Sequence, residues 1–267
     1  MIVLSQNTQI PLDKNQFTIF NATNLSNLRE METDRPDVTE SSYTVDAGHF
    51  QYEGDLLRMT LTEENGIRNQ KIVFNNGTYK IGITNTFDIH FAFENYILNY
   101  QSEYNNRYVI RTQGLGDAIF RCKKNIIGND SGEISIAILL NIKVPTTSFY
   151  KNINIEGGVI FPFTLNYIND WAIGGEVEFQ LLKKSGEPAY KSFYLQSLVV
   201  EHELTKKIAF FLETHYIYSN DLNRFENYIN GGLIFIFNKN VHLDCGFNYG
   251  LQDYAYKSYF VGMSYRK

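Results

Sequence analysis

The chain lacks any long apolar run, and this absence is the first constraint on its class. A membrane-spanning helix needs about 20 consecutive apolar residues, and no stretch of the 267-residue sequence approaches that. Proline is scarce, with five residues, and there is one tryptophan, whereas 19 tyrosines and 20 phenylalanines bring the aromatic share to 15%. This composition excludes a helical membrane protein. It is typical of an all-β protein, either a soluble sandwich or lipocalin-like barrel, or a membrane barrel with aromatic belts.

Basic residues are not in excess either. The formal net charge is -5, and no basic stripe of the kind that binds phosphates is visible, which argues against nucleic acid as a partner. The two cysteines, Cys122 and Cys245, show neither CxxC nor zinc-ligand spacing. We therefore expect them to be packing residues, with a disulfide left open, and expect no metal or cofactor.

A secretory signal is also missing from the start of the sequence. Residues 1–6 have neither a basic beginning nor a long apolar core. Taken alone, this counts against export, unless the sequence is a processed or truncated form.

The chain divides into two sections. Residues 1–47 are polar, with no sustained period of 2 or 3.6, and are expected to be coil with at most a short turn of helix. Residues 48–267 are expected to form the barrel. Period-2 alternation and turn residues predict twelve strands there, at 49–62, 69–82, 87–98, 115–125, 133–144, 155–167, 171–183, 190–203, 207–219, 225–237, 241–250 and 256–266.

The predicted connections favour a membrane barrel over a soluble one. Those after even-numbered strands are mostly tight, and those after odd-numbered strands are often longer, with the longest at 100–114. Periplasmic turns and extracellular loops produce this rhythm, and an even strand number returns both termini to one side. The expected tight turns are Thr84-Asn85-Thr86, Asn169-Asp170, Thr205-Lys206-Lys207 and Asn238-Lys239-Asn240.

Alternation by itself does not say which face is inside, but the many aromatic residues on the apolar face and the rhythm of the connections favour lipid on that side. In four strands an aromatic and aliphatic face opposes a polar one, and in three of them the polar face carries ionisable residues. Carboxylates in a dry core are costly unless matched, so a hydrated or internally paired interior is expected. The sequence thus predicts a closed antiparallel transmembrane β-barrel of about twelve strands, with aromatic residues facing lipid.

Several motifs occur in an order that resembles a known family. The motifs are Thr33-Asp34-Arg35-Pro36-Asp37-Val38-Thr39-Glu40-Ser41, Gly48-His49-Phe50-Gln51-Tyr52-Glu53, Gly114-Leu115-Gly116-Asp117, Lys143-Val144-Pro145-Thr146, Leu243-Asp244 with Gly246, and Gly262-Met263-Ser264-Tyr265-Arg266. With these motifs the chain resembles bacterial outer-membrane proteins labelled "putative meta-pathway phenol-degradation", which are often described as transporters. The resemblance implies an outer-membrane barrel of a diderm bacterium that moves small or hydrophobic compounds, and it does not identify phenol as the substrate.

Such barrels commonly end on an aromatic residue that the assembly machinery reads, whereas this sequence runs on to Lys267. We expect recognition by the barrel-assembly machinery to rest on Tyr259, Val261, Met263 and Tyr265. The other partners expected are outer-membrane lipid, an unidentified small-molecule permeant and, in one alternative, a membrane protein complex.

Two sets of polar residues are candidate sites. The first is a strap of Asp34, Arg35, Asp37 and Glu40, because an arginine flanked by carboxylates in a proline-containing turn suits bidentate pairing inside the lumen. A solvated periplasmic tail is the alternative. The second set is a polar lining that either tunes selectivity or forms paired charges filling the lumen: Glu53, His90, Glu94, Asp117, Arg121, Lys123, Glu176, Glu178, Glu213, His215, Asp244 and Arg266.

Three classes of function follow, and the first is preferred. They are a passive outer-membrane channel, a non-conducting scaffold in a surface complex and, least favoured, a hydrolase using Glu176 with Glu178 or Glu213 with His215 as acid/base pairs. Spacing of i and i+2 on a strand only puts two residues on one face. The sequence has no Gly-x-Ser-x-Gly elbow, metal-ligand cluster or phosphate loop.

Overall fold

The structure, a computed structural model, describes residues 13–103, 109–147, 154–166, 171–183, 188–220 and 223–267. Within these ranges no helix is long and apolar enough to cross a membrane. A 3-10 turn at Lys14–Gln16 precedes thirteen strands: β1 (Phe50–Glu64), β2 (Ile67–Thr84), β3 (Phe87–Glu103), β4 (Val109–Gly114), β5 (Ala118–Ile127), β6 (Ile134–Val144), β7 (Glu156–Asn166), β8 (Trp171–Leu182), β9 (Lys191–Thr205), β10 (Ile208–Ser219), β11 (Arg224–Asn238), β12 (Val241–Gly250) and β13 (Lys257–Arg266).

The strands form where apolar and polar residues alternate, because successive side chains of a strand point to opposite faces. On β8, Glu176 is 1% exposed while its neighbour Val177 is 52% exposed. On β10, Phe211 and Glu213 are buried, whereas Leu212 between them is 55% exposed. An apolar exposed face with charged residues buried behind it is the arrangement of a wall that meets lipid.

Twelve strands close into an antiparallel barrel, as the sequence predicted, and β4 is an additional strand. Each strand pairs with its neighbours in chain order from β5 to β13, and β2 pairs with both β1 and β3. The first and last strands close the wall, in a register that runs from Gln51 opposite Arg266 to Leu61 opposite Lys257. Among the described residues each of the twelve wall strands has a partner on both sides, as a membrane barrel requires, while β4 pairs with β3 alone.

The additional strand corrects one expectation. Residues 100–114 are expected from sequence to be a loop, but β3 continues to Glu103 and residues 109–114 return beside it, from Ser102 opposite Val109 to Ile97 opposite Gly114. The first half of β3 pairs with β5 instead, ending at Phe93 opposite Ala118. β4 and β5 thus pair with successive parts of β3, and residues 115–117 separate them. Residues 104–108 of the predicted loop lie outside the described residues.

The turns agree with the expected rhythm except at the first connection. The links Asn85–Thr86, Lys206–Lys207 and Lys239–Asn240 are two residues each, while Asn169–Asp170 lies outside the described residues. The first connection is also tight, since only Asn65 and Gly66 join β1 to β2. Both have positive φ, 53° and 75°, which is the requirement of a type I′ hairpin. The expectation of a longer loop there is wrong because the strands extend to the turn.

The inner face is not wholly polar, which corrects the expectation that aromatic residues face lipid. Val199, Phe211 and Phe260 form a buried apolar cluster. Glycines across the sheet leave room for the two rings: a Cβ on Gly232 would meet Phe211, and one on Gly246 would meet Phe260. Many other aromatic residues do lie on the exposed face, among them Phe120 and Phe161. Cys122 and Cys245 are both free thiols.

Candidate functional site in the barrel interior

A loop that precedes β1 lies among the inward-facing side chains of the wall. Residues 29–46, which we name the inserted loop, make polar contacts with residues of β1, β2, β5, β8, β10 and β12. Strands on opposite sides of a closed barrel can be reached together only from its interior. The contacts of this loop therefore define the geometry of the interior.

Arg35 lies at the centre of one cluster. Its guanidinium donates to both carboxylate oxygens of Asp244 on β12, at 2.6 and 3.1 Å, and to Asp55 on β1 at 2.7 Å. Asp55 also accepts from Arg58 at 2.6 Å. Bidentate pairs of this kind hold both position and orientation. A Cβ on Gly262 of β13 would overlap the Arg35 guanidinium, so the glycine leaves the space that Arg35 occupies.

Asp34 forms a second cluster with two lysines. Its carboxylate pairs with Lys123 of β5 at 2.7 Å and with Lys80 of β2, and its backbone N–H donates to Glu53 at 2.8 Å. Glu53 pairs with Lys80 in turn. Burial works against ionisation of Asp34, but Lys123 and Lys80 outweigh it and hold the pKa of this carboxyl well below its usual range. Asp34 is therefore an ionised anchor.

The next turn of the loop contacts the other side of the barrel. Glu213 on β10 accepts from the backbone N–H groups of Val38 and Thr39, at 3.0 and 2.8 Å, and from the Thr39 hydroxyl at 2.7 Å. The Glu40 N–H donates to Glu176 on β8 at 2.7 Å. The Glu40 side chain pairs with Arg121 on β5 at 2.6 Å. The loop thus spans the interior from β1 and β12 to β8 and β10.

Carboxylates outnumber cations on the β8–β10 side. Burial raises the pKa of Asp37 well above its usual range, and the neighbouring Glu213 and Glu201 raise it further. Burial, followed by the charge of Asp34, raises the pKa of Glu40 to about 7. Of the four strap residues, Asp34, Arg35 and Glu40 have wall cations or carboxylates as partners, whereas Asp37 lies among like charges.

The base of the loop is held at the end of the barrel that carries the short turns. Arg29 donates to Asn85 and Asp130, both at 2.9 Å, and to the Thr44 carbonyl at 2.9 Å. Arg266 lies 3.4 Å from Asp46. Close by, the Val45 N–H donates to Asp88 at 2.8 Å, and Asp88 also binds the buried His90 at 2.8 Å.

Three predicted lining residues have local partners rather than loop partners. Glu94 pairs with Lys71 of the adjacent strand at 2.6 Å. Asp117 accepts from the backbone N–H groups of Thr146 and Thr147, both at 3.0 Å, where β5 and β6 separate. Glu178 accepts from Gln180 at 2.8 Å.

The two residues weighed as an acid/base pair on β10 are bridged by an amide. Asn230 donates to Glu213 at 2.5 Å and binds His215 Nδ1 at 2.8 Å. Among the described residues, Glu213 accepts hydrogen bonds from Val38 and Thr39 of the loop and from Asn230 of the wall, and all of these donors are neutral groups. This arrangement holds the loop in place.

Several interior residues were missed from sequence: Asp46, Asp55, Lys80, Asp88 and Asn230. Asp88 could have been found, because it lies two positions from His90 and shares its inward alternation. Lys80 had no such signal, since none of the lining residues named from sequence lies on β2. Asp55 could also have been found, because it lies two positions from Glu53 and the register shift of β1 comes after it, between Asp55 and Leu57.

The residues expected to guide barrel assembly lie on the outer face of β13, away from the barrel interior. Tyr259, Val261 and Tyr265 are exposed, and Met263 is half-buried. No group of three histidine, cysteine or acidic side chains in the described part of the chain is arranged to hold a metal ion.

A cavity of about 360 Å³ lies between the inserted loop and the wall from β5 to β9. Val38 and Glu40 contribute the loop side, and the charged wall residues around it are Arg121, Lys143, Glu156, Glu176 and Glu178. Its lining combines both signs of charge with apolar side chains, among them Ile160 and Phe193.

The closed wall, its apolar outer band and its charged interior define a transmembrane β-barrel of the outer-membrane porin type. The same fold is found in an outer membrane channel from Pseudomonas putida F1, with 10% identity, a TM-score of 0.59 and coverage of 88% of this chain and 99% of that one. The NanC porin is also similar, with 9% identity, a TM-score of 0.53 and coverage of 80% and 98%. At these identities the likeness is one of fold. No curated protein matches the chain.

The family is given by the sequence itself. Residues 33–265 match the model of the family described as "Putative MetA-pathway of phenol degradation". The chain belongs to this family, as the resemblance indicated.

Proposed function

We propose that the protein is an outer-membrane channel through which small solutes diffuse passively, and that the inserted loop sets the width of the passage. The observation that carries this proposal is the series of loop contacts, from Arg35 with Asp55 and Asp244 to Glu40 with Arg121. Eight-stranded barrels are filled by side chains and those of sixteen or more strands hold a water channel, so twelve strands leave a lumen that one loop can narrow.

The polar interior favours hydrated solutes as permeants, whereas the family description favours small aromatic compounds. We take both as candidates. Liposome swelling with neutral sugars of increasing size, and uptake of phenol into the same liposomes, separates them.

A scaffold without conductance is the second candidate. It is favoured by the density of ion pairs inside the barrel, because paired charges that fill a lumen close it. A hydrolase is disfavoured, because loop and wall donors already occupy Glu213.

The test is planar-bilayer conductance of the full chain and of a variant lacking residues 1–47. We expect small, stable currents from the full chain and currents several-fold larger from the deletion. The control is Arg111→Ala, because Arg111 contacts only Gln113 and the Tyr100 ring among the described residues. Equal conductance of deletion and full chain would exclude the loop as the constriction. Silence of both, with partner proteins that co-purify, would instead support the scaffold.

A further inference from the structure

Three cations of the wall lie at the end of the barrel opposite the turns at 85–86, 206–207 and 239–240. Lys257 begins β13, Arg68 lies near the start of β2, and Arg111 lies on β4. Arg68 and Arg111 are exposed, and Lys257 is half-buried. Short turns are periplasmic in outer-membrane barrels, so these three cations lie at the extracellular rim. We name them the rim patch.

Strand pairing places the rim patch in two neighbouring rows of the outer face. The lower row crosses β13, β1, β2, β3 and β4, and the upper row crosses β1 to β4 one step nearer the rim. Both rows face outward, because Val73 and Ile97, at the alternate positions of β2 and β3, are 2% and 1% exposed. The lower row is Lys257, Leu61, Gln70, Tyr100 and Arg111, and the upper row is Glu63, Arg68, Ser102 and Val109.

The next row toward the middle of the wall is apolar. Tyr259, Met59, Ile72 and Leu98 lie there, each two positions along its strand from a member of the lower row. Two positions of a strand span about 6.6–6.8 Å. The outer face therefore changes from apolar to basic within one step, as a barrel wall does where it passes from hydrocarbon to lipid headgroups.

The three cations form no ion pair with any of the described residues. Lys71, on the inner face near the same rim, differs in that it pairs with Glu94 at 2.6 Å. One acid belongs to the two rows, since Glu63 lies opposite Arg68 in the register of β1 and β2. The rows therefore carry a surplus of two positive charges on a face that meets lipid.

Two of the cations lie over aromatic rings, which hold them in place without occupying all their donors. The Lys257 ammonium lies 4.7 Å from the centre of the Tyr249 ring, and the Arg111 guanidinium lies 5.8 Å from that of Tyr100. Arg111 also donates to Gln113 at 3.0 Å. An ammonium has three N–H donors and a guanidinium five, so both groups keep donors free for an anion.

We propose that the rim patch binds the phosphate groups of an anionic lipid of the outer leaflet. Phosphate oxygens accept charge-assisted hydrogen bonds from ammonium and guanidinium groups. The acyl chains of the same lipid lie against the apolar row below, so one molecule contacts both parts of the surface. The rim patch is outside the lumen, and this proposal therefore goes beyond the proposed function and does not depend on conductance.

Native mass spectrometry of the full-length protein in detergent tests the rim patch by counting bound lipid at each lipid concentration. The probes are lipid A with two phosphates, its form with one phosphate, and phosphatidylcholine, which has no net charge. We expect two-phosphate lipid A to bind about tenfold or more tightly than phosphatidylcholine, and severalfold more tightly than the one-phosphate form. Equal affinities for the three lipids would mean that acyl chains alone bind, and would overturn the proposal.

The double variant Lys257→Gln with Arg111→Gln should weaken binding of two-phosphate lipid A by about tenfold or more. Lys206→Gln with Lys207→Gln is the matched control, because it removes the same charge from exposed lysines of a turn at the opposite end of the barrel. The control should bind lipid as the wild type does. If the first variant does not fold, Arg68→Gln alone should still weaken binding severalfold. Equal losses in the variant and its control would show that net charge attracts the lipid, and would reject the rim patch.

Discussion

At the scale of single residues, Arg35 and Asp34 each pair with two charged residues of the wall, and Arg35 is the cation of the inserted loop that does so. Arg35 binds Asp55 on β1 and Asp244 on β12, strands that are far apart in the sequence. Its guanidinium carbon also lies 5.7 Å from the centre of the Phe260 ring on β13. Asp55 has a second cation in Arg58, whereas Asp244 has Arg35 alone among the described residues. The loss of Arg35 therefore affects Asp244 most.

We predict that Arg35→Ala lowers the stability of the folded barrel. Removing one partner of a buried ion pair costs about 3–5 kcal/mol, because the other charge is left uncompensated. Heat-modifiable mobility in gel electrophoresis measures the effect as a lower unfolding midpoint. Arg111→Ala, the exposed control, should leave the midpoint unchanged, and an equal shift in both variants would contradict the assignment.

Gly262 gives an independent test of the same contact. Gly262→Ala places a methyl group on the Arg35 guanidinium, so we predict partial loss of loop attachment and a conductance between those of the full chain and the loop deletion. Gly231→Ala is the control, because a Cβ there meets the Leu212 side chain at 3.2 Å on the outer face. Wild-type conductance of Gly262→Ala would show that the guanidinium has room to move.

At the scale of elements, the inserted loop has two unlike sides. Toward β1, β2, β5 and β12 it has alternating charges, with Lys80, Lys123 and Asp244 as wall partners. Toward β8, β9 and β10 it meets Glu176, Glu201 and Glu213. The first side holds the loop through ion pairs and the second through carboxylates that accept backbone N–H groups.

This asymmetry predicts that the loop is held less firmly as pH rises. The raised pKa values of Asp37 and Glu40 favour their neutral forms in the folded state, so their contribution is present below the ordinary pKa and is lost as pH rises through about 7. For Glu40, a shift from 4.5 to about 7 corresponds to at most about 3 kcal/mol. The lowered pKa of Asp34 keeps its ion pairs intact throughout this range.

Single-channel conductance from pH 5 to pH 8 measures this. We expect conductance to increase with pH, and Glu40→Gln to flatten the increase. Asp253→Asn, in an exposed connection, should keep the wild-type profile. A conductance that falls as pH rises would contradict the assignment of these groups.

At the scale of the whole molecule, the barrel is an apolar band around a charged interior. Leu212 lies near the middle of β10 with its side chain exposed, while Phe237 is exposed at the end of β11 beside a turn. Both side chains belong to the outer face. Leu212 therefore lies nearer the bilayer midplane than Phe237, which lies nearer the interface.

We predict that Leu212→Arg destabilises the barrel by about 2–4 kcal/mol in lipid and Phe237→Arg by about 0–1 kcal/mol, because the cost of a charge on the lipid face falls from the midplane to the interface. Denaturant unfolding in bilayers measures both. Equal costs would mean that the band does not span the membrane as described.

The sequence by itself determined the twelve strands, their faces and most of the tight turns, because alternation and turn chemistry are local properties. It also marked Asp34, Arg35 and Glu40 as residues suited to pairing. Only the tertiary structure decided their partners: Arg35 and Asp244 are 209 positions apart, and closure of β1 on β13 brings them together. The strand at 109–114 and the apolar cluster of Phe211 and Phe260 depend in the same way on pairing across the sheet, which no local period encodes.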